Sequence, residues 1–69
     1  MIKSFGHVFE KLGQDSYRPL FSLRISGCEI NKNQIFHKMT IYNGIMVCHF
    51  EGYRVQLLKD GGYLNVRFI

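Results

Sequence analysis

The chain has 69 residues, of which 46% are hydrophobic, and it carries a net charge of +4. Chains of this length form one domain, so residues 1–69 are predicted to be a single folded domain, not a disordered or multidomain protein. No apolar run approaches the roughly 18 residues of a membrane span. The N-terminus lacks the apolar centre of a signal peptide, which predicts a cytoplasmic protein that does not engage a membrane.

Apolar residues near the N-terminus recur at spacings of three and four, which is typical of one face of an amphipathic helix. They are Ile2, Phe5, Val8, Phe9 and Leu12. Gly13 follows, as glycine often does at the end of a helix, although Gly6 disfavours the helix by about 1 kcal/mol relative to alanine. The pattern predicts a short N-terminal helix, with a strand over residues 4–12 as the alternative. Residues 14–19 are predicted to form a polar loop.

Strand-like alternation begins at residue 21. A tight turn at Ser26-Gly27 predicts a hairpin in which Arg24 lies opposite Glu29, a favourable cross-strand pair. The polar residues 31–34 are then expected to turn the chain into the next strand. That turn would place Ile30 near Ile35 and Cys28 near His37.

Four further strand-like runs cover residues 35–42, 45–50, 53–58 and 63–69. They are separated by Asn43-Gly44, Glu51-Gly52 and residues 59–62, and Asn-Gly is the strongest short hairpin signal. The predicted fold class is α+β, mainly β. A short N-terminal helix covers the apolar face of a five- to six-stranded antiparallel meander, which strong twisting would curl into a small barrel.

If every turn closes tightly, one register aligns basic side chains across four strands, namely Lys38, His49, Arg54 and Arg67. Neighbouring like charges repel, an anionic ligand would relieve that repulsion, and arginine is well suited to phosphate. Exposed tyrosines on a sheet can also stack on bases. The sequence therefore predicts a face that engages nucleic acid or a nucleoprotein complex, and the alternative is an ordinary solvated face. The predicted nucleic-acid-binding residues are these four together with Tyr42, Gln56, Tyr63 and Asn65.

The last run, residues 63–69, is predicted to be an apolar edge strand, and such edges need a partner. The edge residues are Tyr63, Asn65, Arg67 and Ile69. The edge would pair with residues 21–25 in a closed barrel, with a second copy in a homodimer, or with a partner protein. The last option is the second functional hypothesis, a small inhibitor or adaptor of the kind that phage and mobile-element genes encode. Such a protein would act through this edge or through an apolar patch of Tyr42, Ile45, Leu58 and Tyr63.

No catalytic or metal-binding pattern is present in the sequence. Gly61-Gly62 is not followed by the helix of a phosphate-binding loop. Cys28 and Cys48 are too few for a secreted disulfide framework, and with His37 they lack the close spacing of a zinc site. A cysteine–histidine nucleophile would need a third, orienting group that the sequence does not indicate. The prediction is a non-catalytic binding module without cofactor or metal.

Overall fold

The computed structural model describes residues 1–69 and is built from ten short strands and two 3-10 helices. The strands are β1 (Ile2–Ser4), β2 (Phe9–Leu12), β3 (Ser16–Pro19), β4 (Leu23–Ile25), β5 (Cys28–Ile30), β6 (Phe36–His37), β7 (Ile41–Tyr42), β8 (Ile45–Met46), β9 (Arg54–Asp60) and β10 (Tyr63–Phe68). The 3-10 helices are Phe5–His7 and Val47–Phe50. Both are single short turns, so the structure has no helix that could span a bilayer.

The strands form three sheets. A five-stranded main sheet has the order β1-β9-β10-β4-β5, a three-stranded small sheet has the order β2-β3-β6, and β7 pairs only with β8. All pairs are antiparallel except β4 with β10. The mainly β prediction is confirmed. The sheets do not close into a barrel, because β1 and β5 remain as the two edges of the main sheet.

Strands β9 and β10 form the hairpin at the centre of the main sheet. Their loop contains only Gly61 and Gly62, whereas the sequence pattern predicted a loop over residues 59–62. Gly61 has a φ of +64°, which a two-residue hairpin loop requires and which glycine adopts without strain. Arg67 therefore lies opposite Gln56, not opposite Arg54 as predicted. The register differs by two residues, so the side chains of this hairpin keep their predicted faces.

Strand β10 is an interior strand. It lies between β9 and β4, and Leu64 and Asn65 pair in parallel with Leu23 and Arg24. The prediction of an open edge at Tyr63, Asn65, Arg67 and Ile69 is therefore wrong. The strand pairs within its own chain, with the segment foreseen for a closed barrel, although the sheet stays open. The edge on which the homodimer prediction depended is thus already occupied.

The prediction of an N-terminal helix is also wrong. Residues 2–4 form β1, which pairs with β9 and places Ile2 opposite Gln56. Extended backbone is favoured here because it completes the hydrogen bonding of β9, which a helix would leave open. Phe5, Val8 and Phe9 are buried all the same, so the spacing identified core residues but not their conformation. The predicted polar loop over 14–19 is largely strand β3.

The two predicted tight turns, at Ser26-Gly27 and at Asn43-Gly44, are confirmed. Ser26, Gly27, Asn43 and Gly44 all have positive φ, as the central residues of type I′ turns require. The hairpin of β4 and β5 has the predicted register, with Arg24 opposite Glu29. The Asn43 Nδ2 donates to the Ser26 carbonyl at 2.6 Å. This bond ties the tips of the two hairpins together.

The strand predicted over residues 45–50 ends early. After Met46 the chain forms the second 3-10 helix, and Glu51 has a φ of −57°, not the positive value of a primed turn. The physical reason is that a left-handed conformation is costly for glutamate. Lys38 does not pair with His49, nor His49 with Arg54, because neither Lys38 nor His49 lies in a strand.

The strand predicted over residues 35–42 is interrupted as well. Only Phe36–His37 and Ile41–Tyr42 are extended, and the first of these pairs with β3 in the small sheet. Ile35 is exposed while Ile30 is buried, and Cys28 and His37 lie in different sheets. Strands β5 and β6 therefore do not pair, and the predicted alignment of Ile30 with Ile35 and of Cys28 with His37 does not form.

The hydrophobic core is rich in aromatic rings and lies between the main and small sheets. Its buried members are Phe5, Val8, Phe9, Tyr17, Leu23, Ile25, Ile30, Phe36, Val47, Val55 and Leu57. The Phe68 ring stacks on Phe50 with centroids 4.4 Å apart and lies 6.1 Å from Phe9. Rings in such pairs contribute roughly 0.5–1.5 kcal/mol beyond their burial. The inner face of the main sheet is thereby covered, and its outer face is left to solvent.

A buried hydroxyl anchors the corner that follows the second 3-10 helix. The Tyr17 side chain is in the core, and its hydroxyl donates to the Glu51 carboxylate. Lys11 Nζ lies 3.4 Å from the same carboxylate. The hydrogen bond from Tyr17 is the main cause of a lowered pKa for Glu51, and burial is the main cause of a raised pKa for Tyr17.

The glycine turn of the central hairpin gives a direct test of the register. We expect Gly61→Ala to lower the free energy of unfolding by about 1–2 kcal/mol, because its φ is left-handed. Gly62→Ala is the matched control, since its φ is not positive and an added Cβ meets only open space. It should change stability by less than about 0.5 kcal/mol. Urea unfolding measures both, and equal losses would contradict the two-residue loop.

The Tyr17–Glu51 contact predicts a pH dependence of stability. A lowered carboxyl pKa stabilises the fold above the unfolded pKa near 4.5, and this contribution is lost as pH falls through the folded value. We expect Glu51→Gln to flatten the stability profile in this acidic range and to cost about 1 kcal/mol at neutral pH. Tyr17→Phe should flatten the same range. Denaturant titrations at several pH values measure the slopes, and an unchanged slope in Glu51→Gln would contradict the contact.

Candidate functional site

The outer face of the main sheet is a polar surface that the fold assembles from several strands. Alternation of side chains along each strand places one set of residues on this surface. The outer face, in the order of the sheet, consists of Ile2, Ser4, Arg54, Gln56, Leu58, Asp60, Tyr63, Asn65, Arg67, Arg24 and Glu29. Arg54, Leu58 and Arg67 are the exposed members at its centre.

Positive charge is concentrated on the main sheet because the acids neutralise the rest of the chain. All five carboxylates take part in ion pairs: Glu10 with Arg18, Asp15 with Lys38, Glu51 with Lys11, and both Glu29 and Asp60 with Arg24. The basic residues outside these pairs are Lys3, Lys32, Arg54, Lys59 and Arg67. Four of them lie on strands of the main sheet, and Lys32 follows its edge strand β5. The net charge of the protein therefore resides on this sheet.

Arg54 and Arg67 form the cationic centre of the outer face. Arg54 lies opposite Ser4 of β1 and forms two backbone hydrogen bonds with Ile69, while Arg67 lies opposite Gln56. The two arginines are therefore diagonal neighbours, a relation that separates residues by about 7–8 Å. Neither guanidinium has a carboxylate partner in the structure. Both forks are free to donate hydrogen bonds to an anion.

Arg24, in contrast, is occupied by its neighbours. Its guanidinium donates to Glu29 at 2.6 Å and to Asp60, and it lies 5.3 Å from the centre of the Tyr63 ring. The hydrogen bond to Glu29 is the main cause of its raised pKa. Tyr63 in turn donates its hydroxyl to Asn31 at 3.0 Å. This end of the outer face carries no unpaired positive charge, and Arg24 lies against its tyrosine ring.

Three of the predicted binding residues lie elsewhere. Lys38 directly follows β6 of the small sheet, and its Nζ lies 3.2 Å from the Asp15 carboxylate. His49 is exposed on the second 3-10 helix. Tyr42 is half-buried in β7, with its ring centre 5.6 Å from that of Phe36, and burial raises its pKa. The four predicted basic residues therefore do not form one row, and Tyr42 does not share a face with Tyr63. The predicted residues that the structure does bring together are Arg54, Gln56, Tyr63, Asn65 and Arg67.

The predicted apolar patch is also divided. Tyr42 and Ile45 pack against the core from the β7–β8 hairpin, whereas Leu58 lies on the outer face opposite Asn65. Leu58 instead shares that face with Ile2, and the two residues are 52% and 53% exposed. Ile2 was missed because the N-terminal spacing resembled that of a helix. Gly6 was the one local signal against the helix, and it did not outweigh the spacing of the apolar residues.

The structure offers no group of three or more His, Cys, Asp and Glu side chains placed to hold a metal ion. Both cysteines are free thiols. Comparison with protein-family models, curated protein sequences and solved structures finds no match for this chain. Geometry and charge are therefore the basis on which a function is proposed.

The distinction between Arg24 and Arg67 can be tested by stability. Arg24→Gln removes two ion pairs and a cation–π contact, so we expect the free energy of unfolding to fall measurably. Arg67→Gln removes the same charge from the same face but no ion pair, and the change should stay within about 0.5 kcal/mol. Chemical denaturation measures both variants. A larger loss in Arg67→Gln would mean that this arginine is structural.

Proposed function

We propose that this protein is a non-catalytic binding module that engages nucleic acid, or a nucleoprotein complex, through the outer face of its main sheet. The observation that carries the proposal is the segregation of charge. Every carboxylate is paired, and every basic residue left without one lies on or beside the main sheet. A polyanion would therefore meet a surface whose positive charge is not already neutralised.

Arginine and amide side chains on the outer face would make different contacts with a nucleic acid. The forks of Arg54 and Arg67 suit phosphate oxygens, and the release of counterions from the phosphates would drive association. Gln56 and Asn65 lie between and beside them and can both donate and accept hydrogen bonds. Contacts to phosphates position a nucleic acid without reading its sequence. Binding that tolerates many sequences is the expected mode.

Apolar side chains on the same face favour a single strand over a duplex. Leu58 and Ile2 are exposed beside the arginines, where unstacked bases could pack on them. Tyr63 is the one tyrosine on this face, and its ring is already held by Arg24. Base stacking is therefore proposed to add less to affinity than the phosphate contacts. A cytoplasmic location is part of this proposal, because two free thiols suit a reducing compartment.

The proposal predicts a salt-dependent loss of affinity in a double variant. We expect Arg54→Gln/Arg67→Gln to weaken binding of a labelled single-stranded oligonucleotide by about tenfold or more, as lost charge-assisted hydrogen bonds do. The slope of log affinity against log salt should become shallower by about 1.4, because each single-strand phosphate contact contributes about 0.7. Fluorescence anisotropy across a series of salt concentrations measures both quantities.

The matched control is Arg18→Gln/Lys38→Gln. It lowers the net charge by the same amount but removes cations that are ion-paired outside the main sheet. Its affinity and salt slope should remain close to those of the wild type. Equal weakening in both double variants would show that only overall charge matters, and the outer face would lose its role. The control also tests the predicted contribution of Lys38.

A second candidate function is a protein-binding inhibitor or adaptor that uses the same face. It is favoured by the exposed Leu58 and Ile2 beside two free arginines, because interfaces are enriched in arginine around an apolar centre. This candidate differs from the first in its response to nucleic acid. A wild-type protein that binds no oligonucleotide even at low salt would favour a protein partner.

A further inference from the structure

A cleft of about 420 Å³ lies where the loop of the central hairpin meets the segment before β4. Two lysines, Lys32 and Lys59, line it together with the backbone of Gly61 and Gly62. Its remaining wall includes Phe21 and Ser22. The volume is within the range of pockets that hold small ligands. The cleft lies at the end of the main sheet and shares only Tyr63 with the outer face.

The charge of the cleft is positive and uncompensated. Neither Lys32 nor Lys59 belongs to an ion pair, and no acidic side chain lines the cleft. Asp60 is the nearest acid along the chain, but its carboxylate is held by Arg24 and Asn65 on the outer face. Two ammonium groups on one concave surface repel each other unless an anion lies between them. The cleft therefore has the electrostatics of an anion site.

Backbone donors add to the two lysines. The N–H groups of Gly61 and Gly62 take part in no hydrogen bond, because they occupy the loop of a two-residue hairpin. A Cβ at either glycine would meet only open space, so nothing obstructs a ligand that approaches this backbone. Ser22 Oγ accepts a hydrogen bond from the Lys32 N–H at 3.0 Å, which leaves its own O–H free to donate. Ammonium groups, backbone N–H groups and a hydroxyl together are donors suited to phosphate.

One part of the cleft wall is apolar. Leu20, Phe21 and Leu64 line it and are only partly buried, although Phe21 and Leu64 also pack against the core. A half-buried aromatic ring beside a cationic pocket suits a ligand that joins a planar ring to a phosphate. An inorganic anion would leave this wall unused. The combination favours a nucleotide over a bare anion.

We propose that this cleft binds a nucleoside 5′-phosphate, either free or at the end of a nucleic acid strand. The phosphate contacts Lys32, Lys59 and the N–H groups of the glycine loop. The base packs against Phe21. The site does not depend on the outer face, because Arg54 and Arg67 do not line it.

Nuclear magnetic resonance of backbone amides tests the site directly on the intact chain. On addition of adenosine 5′-monophosphate, we expect the Gly61 and Gly62 amide signals to move in a saturable manner. Adenosine without phosphate should leave them unchanged, and inorganic phosphate should move them with at least about tenfold weaker affinity. Unmoved glycine signals would overturn the proposal. Equal affinity for inorganic phosphate would overturn the contribution of the base.

The lysines are tested by Lys32→Gln/Lys59→Gln, which should weaken binding of adenosine 5′-monophosphate by at least about tenfold. The charge-matched control is Lys3→Gln/Arg18→Gln, which removes two cations outside both the cleft and the outer face and should retain wild-type affinity for the mononucleotide. Wild-type affinity in the lysine variant, or equal weakening in the control, would overturn the site. Loss of oligonucleotide binding in the Arg54 and Arg67 variant, with mononucleotide binding intact, would separate the two surfaces.

Oligonucleotides with and without a 5′-phosphate then identify the source of the ligand. Tighter binding of the phosphorylated strand, lost in the lysine variant, would assign the cleft to strand ends. Equal binding of the two strands, with the mononucleotide shifts retained, would assign it to free nucleotide. Both outcomes support the cleft, because each follows only after the mononucleotide has moved the glycine signals.

Discussion

The hairpin of β9 and β10 is the constraint on which the rest of the molecule depends. Its glycine loop sets the register of β9 and β10, which are the two longest strands. Each of them then pairs with one further strand along its other edge. β1 pairs with β9 and β4 pairs with β10, so both the start and the middle of the chain are tied to its end. A domain this small buries only about 60% of its unfolded surface. The fold of this domain therefore depends mainly on strand pairing between distant parts of the chain and on one aromatic core.

The same hairpin divides the molecule into a covered side and an open side. Inward side chains such as Val55 and Leu57 are buried beneath the small sheet, and outward ones such as Arg54 and Arg67 meet solvent. The acids complete this division, because they pair with Arg24 and with cations outside the main sheet. Four of the five unpaired cations are left on the outer face or in the cleft at its end, and the fifth, Lys3, lies on the edge strand β1. The outer face and the cleft meet at Tyr63. Under the proposed function, a single strand of nucleic acid would extend from the two arginines to the glycine loop.

Local signals predicted a good part of the fold. The Ser26-Gly27 and Asn43-Gly44 turns form as predicted because their residues tolerate positive φ, and the flanking registers follow from that loop length. The shared face of Arg54, Asn65 and Arg67 was also predicted, although their exact pairing was not, because a slip of two residues preserves the side-chain faces. His49 was misplaced because Glu51 does not adopt the backbone conformation that the predicted turn needed, and Lys38 was misplaced because the strand predicted over residues 35–42 is interrupted between β6 and β7.

The sequence by itself determined the tight turns, the alternation of the strands and many of the core residues, since these depend on backbone preferences and polarity over a few residues. Only the tertiary structure decided that the N-terminal segment is extended, that β10 is interior and that Lys32 and Lys59 share a cleft. The physical reason is that a segment such as Ile2–Ser4 takes its conformation from the strand whose hydrogen bonds it completes. That strand lies more than fifty residues away in the chain. Which cations remain unpaired follows from the same distant contacts.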